Sequence, residues 1–390
     1  MKHRLIKQCY NLCPYSYATH ACDGRCELAV DGRHLYRIDG HYYQPSWDVR
    51  SDTCMTASVH ARWTQRYRSP QERRRHRAFV TMATAVVVAV AVGGVAEILV
   101  SPGDGPAAWG PGNPVVIALP ARPASYVGAY APGVPTSYAP MTSFRTANGV
   151  RPNIALYYSR WNEPFRSKFA VLAADHHAVP LVQIDPSNVS LEAIGHGRYD
   201  SYLRAFGEAV GDFGQLTGRG VIIGFGQQPN CTRYQWGYQH TKPRVWKVAW
   251  RHIVRLFRRE GADDVTWLWT VTAIDKQTGD VSPSRWWPGR RYVTWVGIDG
   301  YYYRRTNKFA TLFGPTITVI HRLTKDPILV SETGVQARAG RPDQIADLFR
   351  GVLANGLIGL VWFDGRLSRL NTPASSHAFA FAAEKWGLSR

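Results

Sequence analysis

The chain has 390 residues, of which 45% are hydrophobic and 12% aromatic, with 14 tryptophans and a formal net charge of +19. That composition belongs to a folded protein and excludes a disordered one, and the length allows one large domain or two ordinary ones. The positive charge suits an anionic polymer or an anionic lipid surface, but no DNA-reading basic helix and no histidine-paired zinc-finger spacing is present, so nucleic acid is not an expected partner.

In chain order, the first segment is residues 1–77, a basic tail that holds five of the six cysteines: Cys9, Cys13, Cys22, Cys26 and Cys54. Four thiolates can close a tetrahedral zinc site. The Cys-x3-Cys spacings, however, are not those of a common zinc module, and the competing reading is an irregular tail of free thiols, or sequence upstream of a later start such as Met55. No metal is therefore assigned.

Residues 73–77 read Arg-Arg-Arg-His-Arg and run into 19 uncharged residues, 78–96, closed by Glu97. That length crosses the hydrocarbon core of a bilayer as a helix. The arginines on its N-terminal side keep that end in the cytoplasm. Residues 78–100 are thus expected to be a signal-anchor helix, making the protein single-pass with its C-terminal part extracellular. A cleaved signal peptide and a secreted product form the alternative. Residues 101–124 are rich in proline and glycine and read as an extended linker.

From residue 125 onward eight short apolar runs alternate with amphipathic segments. The runs are SYVGAY (125–130), NIALYY (153–158), VPLVQI (179–184), GVIIGFG (220–226), VTWLWT (265–270), TWVGIDGYY (294–302), PILVSE (327–332) and LIGLVWF (357–363). Among the intervening segments, KPRVWKVAWRHIVRLFRREGA places Val245, Val248, Ala249, His252, Ile253 and Leu256 at helical spacing, with Pro243 in its first turn and Gly261 as its stop. Strands alternating with helices in this number predict an α/β fold, a parallel (β/α)8 TIM barrel over residues 125–390.

In such barrels chemistry sits at the C-terminal ends of the strands. Those positions hold Trp161, Asp185, Gln227 and Gln228, Thr270 and Thr272, Asp299 and Tyr301, Glu332, and Trp362 with Asp364. Acids among aromatic faces suit carbohydrate, whose oxocarbenium-like transition state a carboxylate stabilises. Within SRWWPGRR, Trp286 and Trp287 read as surface contacts for a long glycan. His176 and His177 read as an ordinary helix end, and Cys231 as incidental. This region carries 32 Lys+Arg against 19 Asp+Glu, a formal +13. An anionic cell-wall glycan is therefore a plausible ligand, with Arg233, Arg304 and Arg305 on cleft-side loops.

GVIIGFGQQPNCTRYQWG, YVTWVGIDGYYY, PILVSETG and the closing GLVWFD together resemble glycoside hydrolase family 26, the β-mannanase-like barrels, over residues 125–386. The resemblance implies a retaining glycosidase that needs no cofactor. It places Glu332 at the nucleophile, Tyr301 at the tyrosine that orients it, and Asn230, Tyr234 and Trp236 in the substrate loop. It also exposes a departure. The family's His-Glu is here Gln227-Gln228, so the acid/base position is an amide, and Arg233 replaces an aromatic residue. No Asp or Glu occurs between Asp212 and Glu260.

A glutamine can hydrogen-bond a glycosidic oxygen but cannot protonate it, and losing a general acid costs about 10²–10⁴-fold. Three readings follow: a specialised glycosidase or transglycosidase with a relocated acid (Asp185, Asp299 or Asp364), a non-catalytic β-glycan-binding module, and an envelope scaffold with a vestigial cleft. Substrate contacts are expected from Gln227, Asn230, Tyr234, Trp236, Trp161, Asp185, Asp299, Trp362 and Arg233.

Overall fold

A computed structural model describes residues 119–274, 280–338 and 340–387, together with four short strands nearer the N-terminus. The latter (Cys26–Leu28, His34–Ile38, His41–Pro45 and Trp63–Tyr67) pair antiparallel in sequence order. Residues 1–113 and 114–390 form two separate units. The remainder of the tail, the expected membrane span at 78–100 and the linker as far as residue 118 lie outside the described residues. Among the described residues no helix is long and apolar enough to cross a membrane, and no cluster of His, Cys, Asp or Glu could hold a metal ion.

The C-terminal unit is a closed parallel barrel. Its strands are β1 (Tyr126–Tyr130), β2 (Ile154–Arg160), β3 (Val179–Asp185), β4 (Val221–Phe225), β5 (Val265–Thr272), β6 (Trp295–Tyr302), β7 (Ile328–Val335) and β8 (Gly359–Phe363). They pair in sequence order, and β8 closes onto β1. All eight expected apolar runs are these strands. Helices follow seven of them, including Asp200–Thr217, Pro243–Arg259 and Arg341–Ala354. Between β5 and β6 the described residues form only the short 3₁₀ turns Pro283–Trp286 and Arg290–Tyr292.

Because side chains alternate along a strand, each strand sends one set of residues into the barrel and the other toward the helices. A compact inner cluster takes a residue from every strand: Tyr126, Leu156, Leu181, Ile222, Leu268, Trp295, Leu329 and Val361. This apolar plug fills the N-terminal end of the barrel. Above it lies a polar layer. Gln183 Nε2 donates to Thr270 Oγ1 at 2.8 Å, and Ser331 Oγ donates to Asp299 Oδ1 at 2.6 Å. Gly224 makes room for the first pair, since a Cβ there would lie 1.9 Å from Gln183 Oε1.

The outer cluster packs the opposite strand faces against the helices. In the helix Pro243–Arg259 the buried face is Trp246, Ala249, Trp250, Ile253, Val254, Leu256 and Phe257. That stripe is rotated from the expected one: Val248 is exposed, and His252 Nε2 pairs with Asp200 Oδ1 at 2.6 Å. The two tryptophans carry the larger apolar area and so set the orientation.

Candidate active site

Glu332 lies in β7, and a β-bulge aims it. Gly297 pairs with Leu329 and Asp299 with Glu332, so β7 advances three residues where β6 advances two. The same offset separates β7 from β8 between Val330 and Thr333. With Leu329 inside the barrel, strict alternation would put Ser331 inside and Glu332 among the helices. The extra residue restores Glu332 to the barrel mouth, as bulges do next to active sites.

Two tyrosine hydroxyls hold this carboxylate. Tyr158 of β2 donates to Glu332 Oε2, and Tyr301 of β6 donates to Oε1. Burial raises the pKa of Glu332 above the usual carboxylate value, while the two hydroxyls and the charge of Arg233 act against that rise. Both tyrosines are pushed well above 10 by burial and by the adjacent carboxylate, so they are protonated donors. Asp299 is fully enclosed, and burial together with Glu332 raises its pKa far more strongly. Burial thus works against the charge on both carboxyls, and only Glu332 has two hydroxyl donors that favour its ionised form.

Aromatic rings line the opening. Tyr130 stacks on Phe363 at 4.4 Å between centroids and meets Tyr158 edge-on. Tyr301 stacks on Tyr303 at 5.3 Å, and Tyr303 is 53% exposed. Tyr234 stacks on Trp236 at 4.5 Å. Such faces suit the apolar sides of pyranose rings.

The β4 end is built differently. Gln228 carries φ +52°, a left-handed conformation that costs a non-glycine residue roughly 1 kcal/mol or more. Its N–H donates to Thr270 O at 2.9 Å. Its side chain is clamped at both ends: Nε2 donates to Asp299 Oδ2 at 2.7 Å, and Oε1 accepts from Arg233 Nη2. The same guanidinium nitrogen lies 3.5 Å from Thr272 Oγ1. Gln227 Nε2 donates to Asp185 Oδ1 at 2.7 Å, while Gln227 Oε1 is buried without a partner. Asp185 is partly exposed, and burial raises its pKa to about 6, with Glu332 adding to the rise and Gln227 and Arg160 opposing it.

Thus Glu332, Tyr301, Asp299, Gln227, Gln228, Arg233, Tyr234 and Asp185 converge on one end of the barrel. Several expected contacts sit elsewhere. Trp362 is fully buried on the outer face of β8, donates to Ser368 O and packs beneath Arg341. Trp161 packs against Tyr199, Tyr202 and Phe225. Trp236 is buried, with its N–H on Gln227 O at 2.8 Å. These three tryptophans offer no ring face to solvent.

Asn230 is fully buried and ties the loop to β5, with Nδ2 on Thr272 O and Val281 O and Oδ1 accepting from Thr272 N. It shapes the loop and does not face the cleft. Trp286 is also fully buried, which corrects the expectation of a surface platform there, while Trp287 packs edge-on against Trp269 and stays partly exposed. Asp364 Oδ1 accepts from Leu370 N and so holds its own loop. Cys231 is a buried free thiol raised by burial. Tyr158, Tyr130 and Phe363 were not among the expected site residues. Alternation could have found them, since Tyr158 shares its face with Ile154 and Leu156, and Phe363 shares its face with Val361.

Comparison with known proteins agrees with this architecture. No family model matches the chain. Over 252 residues, 61% of its length, the chain is 21% identical to endoglucanase H of Acetivibrio thermocellus, of which it spans only 27%. Among solved structures, a mannanase from Bacillus subtilis superposes with a TM-score of 0.51 at 14% identity, covering 66% of this chain and 85% of the mannanase. A modular endo-β-1,4-mannanase of glycoside hydrolase family 26 from Cellulomonas fimi gives 0.51 at 15% identity, covering 65% and 70%. The fold is therefore that of the family 26 glycoside hydrolase barrels.

Proposed function

We propose that the barrel is a glycosidase or transglycosidase that acts on a β-linked, β-mannan-like polysaccharide by a retaining mechanism. One observation carries the reading: a partly exposed carboxylate, Glu332, is fixed at the barrel mouth by two tyrosine hydroxyls, with the buried Asp299 beside it on β6. A nucleophile must be ionised, oriented and accessible; the two hydroxyls orient the carboxylate and favour its ionised form, and the mouth leaves it partly exposed. Glu332 attacks the anomeric carbon, and water or a second sugar then releases the glycosyl group. Tyr158 and Tyr301 keep the carboxylate from rotating, and the open aromatic edges stack on the sugar. The endoglucanase and mannanases above support a β-glycan as substrate, and the +13 charge of residues 125–390 favours an anionic cell-wall glycan. The run 78–96 supports tethering at the outer face of the cell membrane.

A second reading is a binding module that has kept the cleft and lost turnover. The clamped amide of Gln228 at the acid/base position favours it. Aryl β-mannosides, β-glucosides and β-xylosides with activated phenols separate the two. Phenol release that disappears in Glu332→Gln supports the glycosidase. Absence of release across the panel, with glycan binding equal in the wild type and Glu332→Gln, makes the protein a binder.

A further inference from the structure

The β4 end of the site raises a specific chemical question, namely what leaves when Glu332 attacks. An ordinary sugar alkoxide needs a proton at that moment. Three carboxyl groups could in principle supply one, and the structure disposes of two. Asp299 is 2% exposed and lies behind Gln228, bonded to its amide and to Ser331. Asp364 accepts from its own loop at Leu370 N. The third, Asp185, stands on β3, bonded to Gln227, whereas Arg233 reaches Gln228 and Thr272 of β5. Asp185 is thus on the opposite side of Gln228 from the guanidinium.

What the β4–β5 side offers at its surface is the guanidinium of Arg233, with the carboxyl of Asp280 buried near enough to act on it. Arg233 is exposed on the cleft side, yet its field reaches Glu332, Asp299 and Tyr303. A guanidinium presents a fork of donors suited to a phosphate or carboxylate. Only some of those donors are used on Gln228 and Thr272. Gln228 is itself only 4% exposed, so its amide positions the guanidinium from below and leaves ligand contact to Arg233.

We infer that this site takes a glycoside whose leaving group is itself an oxyanion of the glycosyl phosphate class, bound by Arg233 and released without protonation. The inference rests on the glycosidase reading above. Glu332 forms a bond to the anomeric carbon while the bond from that carbon to the phosphate ester oxygen breaks. The electron pair departs with that oxygen, as a phosphomonoester dianion when the substrate is a sugar phosphodiester. Arg233 stabilises the added charge. Water or an acceptor hydroxyl then attacks the same carbon, the bond to Glu332 breaks with its electrons returning to the carboxylate, and the released proton passes to the phosphate dianion. No external oxidant, reductant or acid is required. Gln228 and Arg233 then act together: the amide avoids a second negative charge beside the leaving oxyanion, and the arginine receives it.

Two measurements on the full chain test this. The first is titration with methyl phosphate, the leaving group alone, followed by phosphorus NMR. Saturable binding is expected, weakened at least about tenfold in Arg233→Gln, less in Arg233→Lys, which keeps the charge and loses the fork, and unchanged in Arg219→Gln, whose side chain precedes β4 at the opposite end of the barrel. The second is intact mass after incubation with 2-deoxy-2-fluoro-β-mannosyl, -glucosyl and -xylosyl fluorides, whose esters are released slowly enough to be seen, and with the corresponding 2-deoxy-2-fluoro-β-glycosyl methyl phosphates. Fluorides require no proton donor and test the nucleophile alone. An adduct from a fluoride and from the same sugar's methyl phosphate, with only the latter slowed tenfold or more by Arg233→Gln, supports the inference. An adduct from a fluoride without methyl phosphate binding, or with binding indifferent to Arg233, overturns the inference and leaves the glycosidase reading standing. Phosphate binding that depends on Arg233, without an adduct from any sugar, overturns the glycosidase reading and the leaving-group step with it.

Discussion

The two halves of the barrel mouth are built to different standards. On the β2–β6–β7 side the groups around Glu332 fix its carboxylate: two hydroxyl donors and a bulge that aims it, with Asp299 buried beside it. On the β4–β5 side an amide occupies the acid/base position implied by the family resemblance, held immobile between Asp299 and Arg233. Under the proposed function, the contrast means that one half of a two-carboxylate mechanism is kept while the other is built around a cation. It also means that the two halves can be broken separately.

The largest effect is expected on the nucleophile side. Glu332→Gln should lower turnover of activated aryl glycosides by on the order of 10⁴-fold or more, measured as initial phenol release. A loss below tenfold would remove Glu332 from the chemistry.

Next comes the rebuilt half. Gln228→Glu alone should restore less than tenfold activity on unactivated polysaccharide. The new carboxylate would lie at hydrogen-bond distance from Asp299, where two negative charges cannot coexist, and Arg233 would hold it ionised and unable to give a proton. Combining Gln228→Glu with Arg233→Phe should raise the same rate by about 10²–10⁴-fold. Reducing-sugar release checks both, and equal rates in the single and double variants would show that Arg233 does not set the outcome.

Smaller effects test the support of Glu332. Tyr158→Phe and Tyr301→Phe each remove one hydrogen bond to a charged group, worth about 1.5–3 kcal/mol. Rates should fall about 10–150-fold, with the acidic limb of the pH profile displaced upward, because these hydroxyls lower the pKa of Glu332. An unchanged limb would mean the hydroxyls serve structure alone.

The smallest effect is on stability. Asp185 titrates near 6 in the folded protein, above its ordinary 3.8. The folded state therefore holds this proton more tightly than the unfolded chain does, so its contribution is full below pH 4 and declines as pH rises to about 6. Asp185→Asn removes that penalty. The variant should be more stable than the wild type at pH 7, by at most about 3 kcal/mol, and should show a flatter dependence of Tm on pH between 4 and 6.

Much of this was legible from sequence because burial leaves a simple signature. β1 to β8 are the eight apolar runs, in order, and Glu332, Tyr301, Gln227, Gln228 and Arg233 were placed by motif and strand-end position. What escaped depended on which way a side chain faces. Trp362 and Phe363 are adjacent, yet one is packed under Arg341 and the other stacks on Tyr130 in the mouth. Aromatic character alone selected Trp362, whereas period-two alternation from Val361 selects Phe363. Tyr158 was hidden for the same reason, inside a run read only as hydrophobic. The bulge in β7 could not be read at all, since it is a mismatch between neighbouring strands and not a property of any one of them. Asn230 looked functional by its motif, but its three hydrogen bonds are spent on backbone.

The most direct test of the central claim is to locate the covalent intermediate. The full chain would be incubated with 2-deoxy-2-fluoro-β-glycosyl fluorides of mannose, glucose and xylose, digested, and mapped by tandem mass spectrometry. A fluorosugar ester on the peptide containing Glu332, absent from Glu332→Gln, is the predicted result. An adduct on any other carboxylate, or none from any of the three sugars, would contradict the account.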